Sequence, residues 1–172
     1  MVVGVPLDLT EVERKAVEDA TINAGAREVF LVEEPMASAI GARLPITEPI
    51  GTMIVDIGGG TTEIAVISLG GIVAWKSVAI AGDELNKNIV AFAREAYNLV
   101  LGEKVAEHIK IRIGSADELT EALQMEMRGR DMMTGLPKEI IVNDGQIREA
   151  LSRSVRIIVD NIKSTLEVTP PE

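Results

Sequence analysis

Asp56-Ile57-Gly58-Gly59-Gly60-Thr61-Thr62-Glu63 sets a carboxylate, three glycines and two hydroxyls in one unbroken stretch. Glycine accepts φ > 0 and lets another group come close to the backbone. Successive N–H groups in such a turn form an anion-binding concavity. An acid before the turn and hydroxyls after it suit a phosphate accompanied by a metal ion. Two other phosphate loops are excluded. A P-loop needs Lys-Ser/Thr after its last glycine and then a helix; here Thr61-Thr62 follows and the next segment reads as a strand. A dinucleotide fingerprint also needs a helix after its glycines. The plainer alternative is a tight hairpin whose glycines serve backbone angles alone. The acid, the two threonines and the flanking strands favour the phosphate.

Other candidates are weaker taken singly. Asp56 alone reads equally well as a turn residue bonding its own backbone. Glu34, just before Pro35, is an acid in the first turn of a helix, where the dipole favours it. Glu107 and Lys110 stand three apart on a helix and share a face, which alone suggests an exposed ion pair. His108 is the sole histidine and has no second metal ligand nearby, so no catalysis is assigned to it.

The elements that must position these residues follow from periodicity. Thr52-Met53-Ile54-Val55 and Thr62 to Ser68 read as strands on either side of the glycines. Gly70-Gly71 turns into a third strand over residues 72–80, giving an antiparallel meander. Upstream, Val2 to Val5 is a short strand, and Thr10-Glu11-Val12-Glu13 has the capping-box pattern. The helix it starts runs to Asn23, with Val12, Ala16 and Ala20 expected inward and Gly25 as its stop. Glu28 to Val32 is the next strand, completing a βαβ unit with parallel strands. A second helix runs from Pro35 to Ala42, and Pro45 and Pro49 bracket a connector.

After the meander, Gly82-Asp83 opens a long helix with Leu85, Ile89, Phe92, Ala96 and Leu99 inward. A shorter helix after Gly102 carries Val105, Ile109 and Ile113. Residues 116–143 hold short alternating pieces and read as a small sheet-bearing insertion. The last helix, 144–168, aligns Ile147, Leu151, Val155, Ile158, Ile162 and Leu166, and Pro170-Pro171 ends it.

Composition narrows the classes. Hydrophobic residues make up 47% of the 172 and aromatics 2%, so the core is aliphatic. The net charge of −10 carries no basic stripe and argues against nucleic acid. It leaves room for a nucleotide, which needs only a local pocket. With no cysteine there is no disulfide or thiolate chemistry, which fits a reducing compartment. No stretch reads as a signal peptide or as a membrane helix.

Taken together, Val32-Glu33-Glu34-Pro35-Met36-Ala37-Ser38-Ala39-Ile40-Gly41-Ala42, then Met53 to Glu63, then Ala106-Glu107-His108-Ile109-Lys110 resemble the MreB family, bacterial actin homologues that set rod shape. Gly129-Arg130-Asp131 and the final Thr-Pro-Pro-Glu extend the resemblance over the whole chain. Chaperones of the heat-shock seventy-kilodalton class share the superfamily, but read Asn-Glu-Pro-Thr and Gly-Gly-Thr-Phe-Asp at the matching places. A third alternative is an interaction module that binds no nucleotide.

The resemblance implies a partial actin-like ATPase fold, an α/β mixed sheet with helices of ribonuclease H-like type. Residues 1–45 would close the first half; 46–115 with 144–172 would form the core of the second, and 116–143 its small insertion. The family's first phosphate hairpin and its adenosine turn find no match, so the chain is expected to be an internal piece of a longer protein. The isolated chain is expected to bind ATP weakly or not at all, which leaves its own activity open.

By the same resemblance, Gly58, Gly59 and Gly60 hold the β- and γ-phosphates of ATP, with Thr61 and Thr62 beside them. Asp56 stands near Mg2+ through a metal-bound water. Glu34 and Thr61 orient the attacking water, while Glu33 is structural. Glu107, His108, Ile109 and Lys110 line the ribose and adenine. The helix from Thr10 to Asn23 matches one used for lateral contact between filaments. The implied partners are copies of itself and a cell-shape complex at the membrane. The implied location is cytoplasmic and membrane-associated.

Overall fold

The computed structural model describes residues 1–170; the expected stop at Pro171 and the end of the Thr-Pro-Pro-Glu stretch lie outside the described residues. The chain forms two compact units, one of Met1–Ala79 joined by the chain from Asp160 on, the other of Ile80–Val159.

In the first unit β1 (Val2–Val5) and β2 (Phe30–Glu33) pair in parallel, Val2 against Phe30 and Val5 against Glu33. Helix α1 (Glu11–Asn23) crosses between them. Its capping box is complete: Glu13 N–H donates to Thr10 Oγ1 at 3.3 Å and Thr10 N–H to Glu13 Oε2 at 2.9 Å. Gly25, at φ 106°, follows the C-cap.

The expected inward face of α1 is corrected. Val12 is 80% exposed and no residue of the helix is buried. Arg14, Val17, Glu18 and Thr21, on the opposite side, are the partly buried ones. Alanines bring little area to a packed face. Arg14 can lay its stem along the unit while its head bonds Glu33 at 3.2 Å. Strand β2 also starts two residues later than expected.

Helix α2 (Glu34–Gly41), with Pro35 in its first turn and Pro35 and Ala39 buried, packs on the meander of β3 (Thr52–Ile57), β4 (Thr62–Ser68) and β5 (Gly71–Val78). β4 is the middle strand, and Thr62 to Ile67 are all buried. Both of its faces are covered, so it reads as a continuous run rather than an alternation. Leu69 and Gly70, both at positive φ, make the two-residue turn into β5. The connector around Pro45 lies inside this unit, where Glu48 and Ile46 carbonyls accept from Leu69 and Gly70.

The second unit holds α3 (Gly82–Tyr97), β6 (Leu99–Val100), α4 (Glu103–Ile113), β7 (Gln124–Asp131), β8 (Pro137–Asn143) and the start of α5 (Asp144–Glu167). Its core gathers Ile89, Ala93, Leu99, Leu101, Ala106, Ile109, Met127, Val142, Ile147 and Leu151. Four expected positions change. Asn98 ends α3 in the left-handed region, so Leu99 is buried from a strand, and Ala93 replaces the exposed Ala96. Ala106 replaces Val105 on α4. On α5, Leu166 is 54% exposed and Thr165 is buried, its hydroxyl donated to Asn161 O at 2.9 Å. β6, β7 and β8 form an antiparallel sheet that includes the sheet expected in residues 116–143.

Candidate functional site

In the first unit β3 delivers Asp56 and Ile57, and the chain turns through Gly58, Gly59 and Gly60 into β4. Asp56 pairs with Glu63 and Ile57 with Thr62 across the hairpin. The turn is closed by Gly58 N–H donating to Thr61 O at 2.9 Å. All three glycines are exposed, and a side chain at Gly60 would meet open space. None of the three is at positive φ; the left-handed glycines among the described residues are Gly25, Gly70 and Gly135. Glycine here supplies an open approach to the backbone, not an unusual dihedral. Thr61 is partly exposed and Thr62 fully buried.

Asp56 is fixed from the neighbouring helix. Ser38 Oγ donates to Asp56 Oδ2 at 2.5 Å, which ties α2 to the end of β3. Glu34, in the first turn of α2, lies over β1: a side chain added at Gly4 would stand 3.4 Å from Glu34 Cγ. Its neighbour Glu33 is taken by Arg14.

Sequence reasoning gave no role to Glu63. It is 2% exposed, its Oε1 accepts from Leu7 N–H at 2.8 Å, and its Oε2 has no hydrogen-bond partner. Burial, then the nearby carboxylates of Glu34, Asp8 and Asp56, push its carboxyl above the usual range, partly offset by the Leu7 bond. The signal was an acid inside an otherwise apolar, buried strand. Among the described residues no group of three or more His, Cys, Asp or Glu is arranged to hold a metal ion. The donor set fits Mg2+ that arrives on a polyphosphate with its waters, for which one carboxylate such as Asp56 suffices.

The expected ribose and adenine residues lie in the other unit, on α4. Glu107 and His108 are exposed, whereas Ile109 is fully buried in the core. Lys110 does not pair with Glu107; its Nζ donates to Gly82 O at 2.9 Å, at the start of α3. His108 borders a shallow groove with Gln124, Glu126 and Arg128. A larger cleft of about 720 Å³, between Lys87, Arg94, Leu101 and Met132, contains none of the expected residues.

The sequence matches the MreB/Mbl protein family over residues 1–172. The chain belongs to that family. It is 48% identical over its whole length to the cell shape-determining protein MreB of Escherichia coli strain K12, and covers 50% of that protein. It is 45% identical to the cell shape-determining protein Mbl of Bacillus subtilis strain 168, of which it covers 52%. The crystal structure of MreB5 of Spiroplasma citri bound to ADP superposes on 99% of this chain with a TM-score of 0.96 at 38% identity, and 52% of that chain is covered. The same relative bound to AMPPNP gives 0.95. The chain thus spans about half the length of the MreB and Mbl relatives it matches, and carries the actin-like α/β fold in part.

Proposed function

We propose that this chain is part of an ATP-binding, filament-forming bacterial actin homologue that sets rod cell shape. The observation that carries the reading is the open glycine turn between β3 and β4, with Asp56 held beside it by Ser38. Two further facts support it. MreB5 of Spiroplasma citri was crystallised with ADP and with AMPPNP, and the relatives from E. coli and B. subtilis are cell shape-determining proteins.

In this reading the exposed backbone of Gly58 to Gly60, with the partly exposed Thr61, receives the β- and γ-phosphates, while Thr62, fully buried, stands behind the turn. Asp56 would hold Mg2+ through a water, and the ion would supply charge neutralisation there. Glu34 and Thr61 hold the attacking water, one as acceptor and the other through its hydroxyl. Phosphoryl transfer asks mainly for positioning and charge balance from the protein, so a carboxylate and a hydroxyl on one water suffice for slow hydrolysis. Glu107, His108 and Lys110 take the ribose and adenine, with the buried Ile109 holding their helix to the core. Assembly into filaments on the cytoplasmic face of the membrane, with a cell-shape complex, completes the proposal. Among the described residues no helix is long and apolar enough to cross a membrane.

The test uses the protein at the full length of the family. Mg-ATP binding by calorimetry and ATP-dependent pelleting are both expected. Binding without pelleting would overturn the filament reading, and absence of binding would turn the chain into a nucleotide-free interaction module.

A further inference from the structure

Glu34 and Thr61 come from different stretches, the β2–α2 junction and the β3–β4 hairpin. Their separation depends on what joins those stretches. Ser38 to Asp56 is one link. Packing of α2 on the meander is another, and a third is Leu7 N–H to Glu63 Oε1 at 2.8 Å, across 56 residues of sequence.

The third link is costly to keep. Glu63 is 2% exposed, in a strand whose next four residues, Ile64 to Ile67, are buried and apolar. Its Oε2 is enclosed without a partner. Burying a carboxyl with one oxygen unsatisfied is unfavourable, and an apolar side chain would suit the strand better. What the acid provides there is an acceptor for the β1–α1 loop. That loop follows β1, whose Gly4 lies against Glu34. A line of contacts therefore runs from Glu34 through β1 and Leu7 to Glu63, two residues beyond Thr61. The upward shift of the Glu63 carboxyl, caused by burial and then by Glu34, Asp8 and Asp56, agrees with that proximity.

We propose that Glu63 is a positioning residue: its buried side chain clasps the β1–α1 loop to the strand after the glycine turn and so fixes Glu34 relative to Thr61. This rests on the reading that those two residues hold one water.

Two variants test it. Glu63→Gln keeps an oxygen acceptor at the same reach; Glu63→Met keeps length and removes it. In this chain, without nucleotide, the Leu7 amide is expected to exchange its hydrogen faster in Glu63→Met and at the wild-type rate in Glu63→Gln. At full family length, Glu63→Met is expected to lower kcat at least about tenfold with ATP affinity near wild type, because a misplacement of about 1 Å can cost about 10²-fold in rate. Glu63→Gln should restore turnover. If Glu63→Met melts below the assay temperature, Glu63→Val, a residue type the strand favours, carries the same test. Unchanged Leu7 exchange, normal turnover without the acceptor, or equal damage from Gln and Met would each overturn the clasp. Normal turnover in Glu34→Ala would instead overturn the water-holding reading and leave the exchange result standing.

Discussion

Ser38 and Asp56 are joined by a 2.5 Å hydrogen bond that fixes the carboxylate at the mouth of the glycine turn from a helix rather than from the hairpin itself. Asp56 therefore cannot swing freely as an isolated turn residue would. Ser38→Ala is expected to lower stability by about 1–2 kcal/mol, the usual worth of such a bond. It should also raise, by about three- to tenfold, the Mg2+ concentration at which ATP binding at full family length is half-saturated, a shift of about 0.7–1.4 kcal/mol. A magnesium titration at fixed ATP reads this, and an unchanged midpoint would remove Asp56 from the metal.

Glu34→Ala and Thr61→Ala, at full family length, are expected to slow hydrolysis about 10²-fold each, the common worth of a group that positions or relays a proton. ATP affinity should stay near wild type, because the interaction is made mainly in the transition state. Single-turnover kinetics beside equilibrium titration separates the two. Loss of binding with normal turnover per bound ATP would show the assignment to be mistaken.

Gly60→Val probes the turn without disturbing the fold. A side chain there meets open space and the dihedral is not left-handed. Stability should move by no more than about 0.5 kcal/mol, as for other unencumbered surface sites. The branched side chain would nevertheless occupy the approach to the backbone, so Mg-ATP binding should fall at least about tenfold, or about 1.4 kcal/mol. A melt and a titration on one purified variant decide it; unchanged affinity would mean that the turn does not receive phosphate.

Gly129→Ala is expected to do the opposite, with stability falling and no group of the proposed site touched. An added Cβ would collide with Val100 O and lie 2.8 Å from Leu99 Cγ, where β6 pairs with β7. Overpacking of this kind costs about 1–3 kcal/mol. Urea unfolding of this chain is the measurement, and wild-type stability would mean that β6 can retreat freely.

Asp131 closes the β7–β8 turn. Its carboxylate accepts from Lys138 Nζ at 2.9 Å and from the Met133 and Thr134 amides at 2.9 and 3.0 Å. The Lys138 bond first, then the two amides, hold its carboxyl well below the ordinary value of 3.8. A depressed acid contributes stability that is complete above its unfolded value and fades as pH falls toward the folded one. Asp131→Ala should therefore speed amide exchange at Met133 and Thr134 by a constant factor between about pH 5 and 8, and the difference from wild type should shrink only below about pH 4. A difference that instead grew on acidification would contradict the assignment.

Much of the architecture was legible locally. The Thr10 to Glu13 capping box, the runs flanking the glycines and the Gly70 turn depend on neighbours a few residues away, and all formed as expected. So did the stripe from Ile147 to Ile158 on α5, where large aliphatic residues leave one choice of face. The family was legible too, because its motifs are contiguous.

The faces of weakly patterned helices were not. On α1 the stripe of Val12, Ala16 and Ala20 offers little area, and a longer side chain, Arg14, decided the orientation by reaching Glu33 on another strand. The end of α3 was decided by a single left-handed residue, Asn98, that periodicity cannot see. The same limit hid Glu63. Sequence alone determined that an acid follows Thr62. Only the tertiary structure decided that this acid is buried and that its partner is Leu7, since a hydrogen bond across 56 residues leaves no periodic trace in either segment.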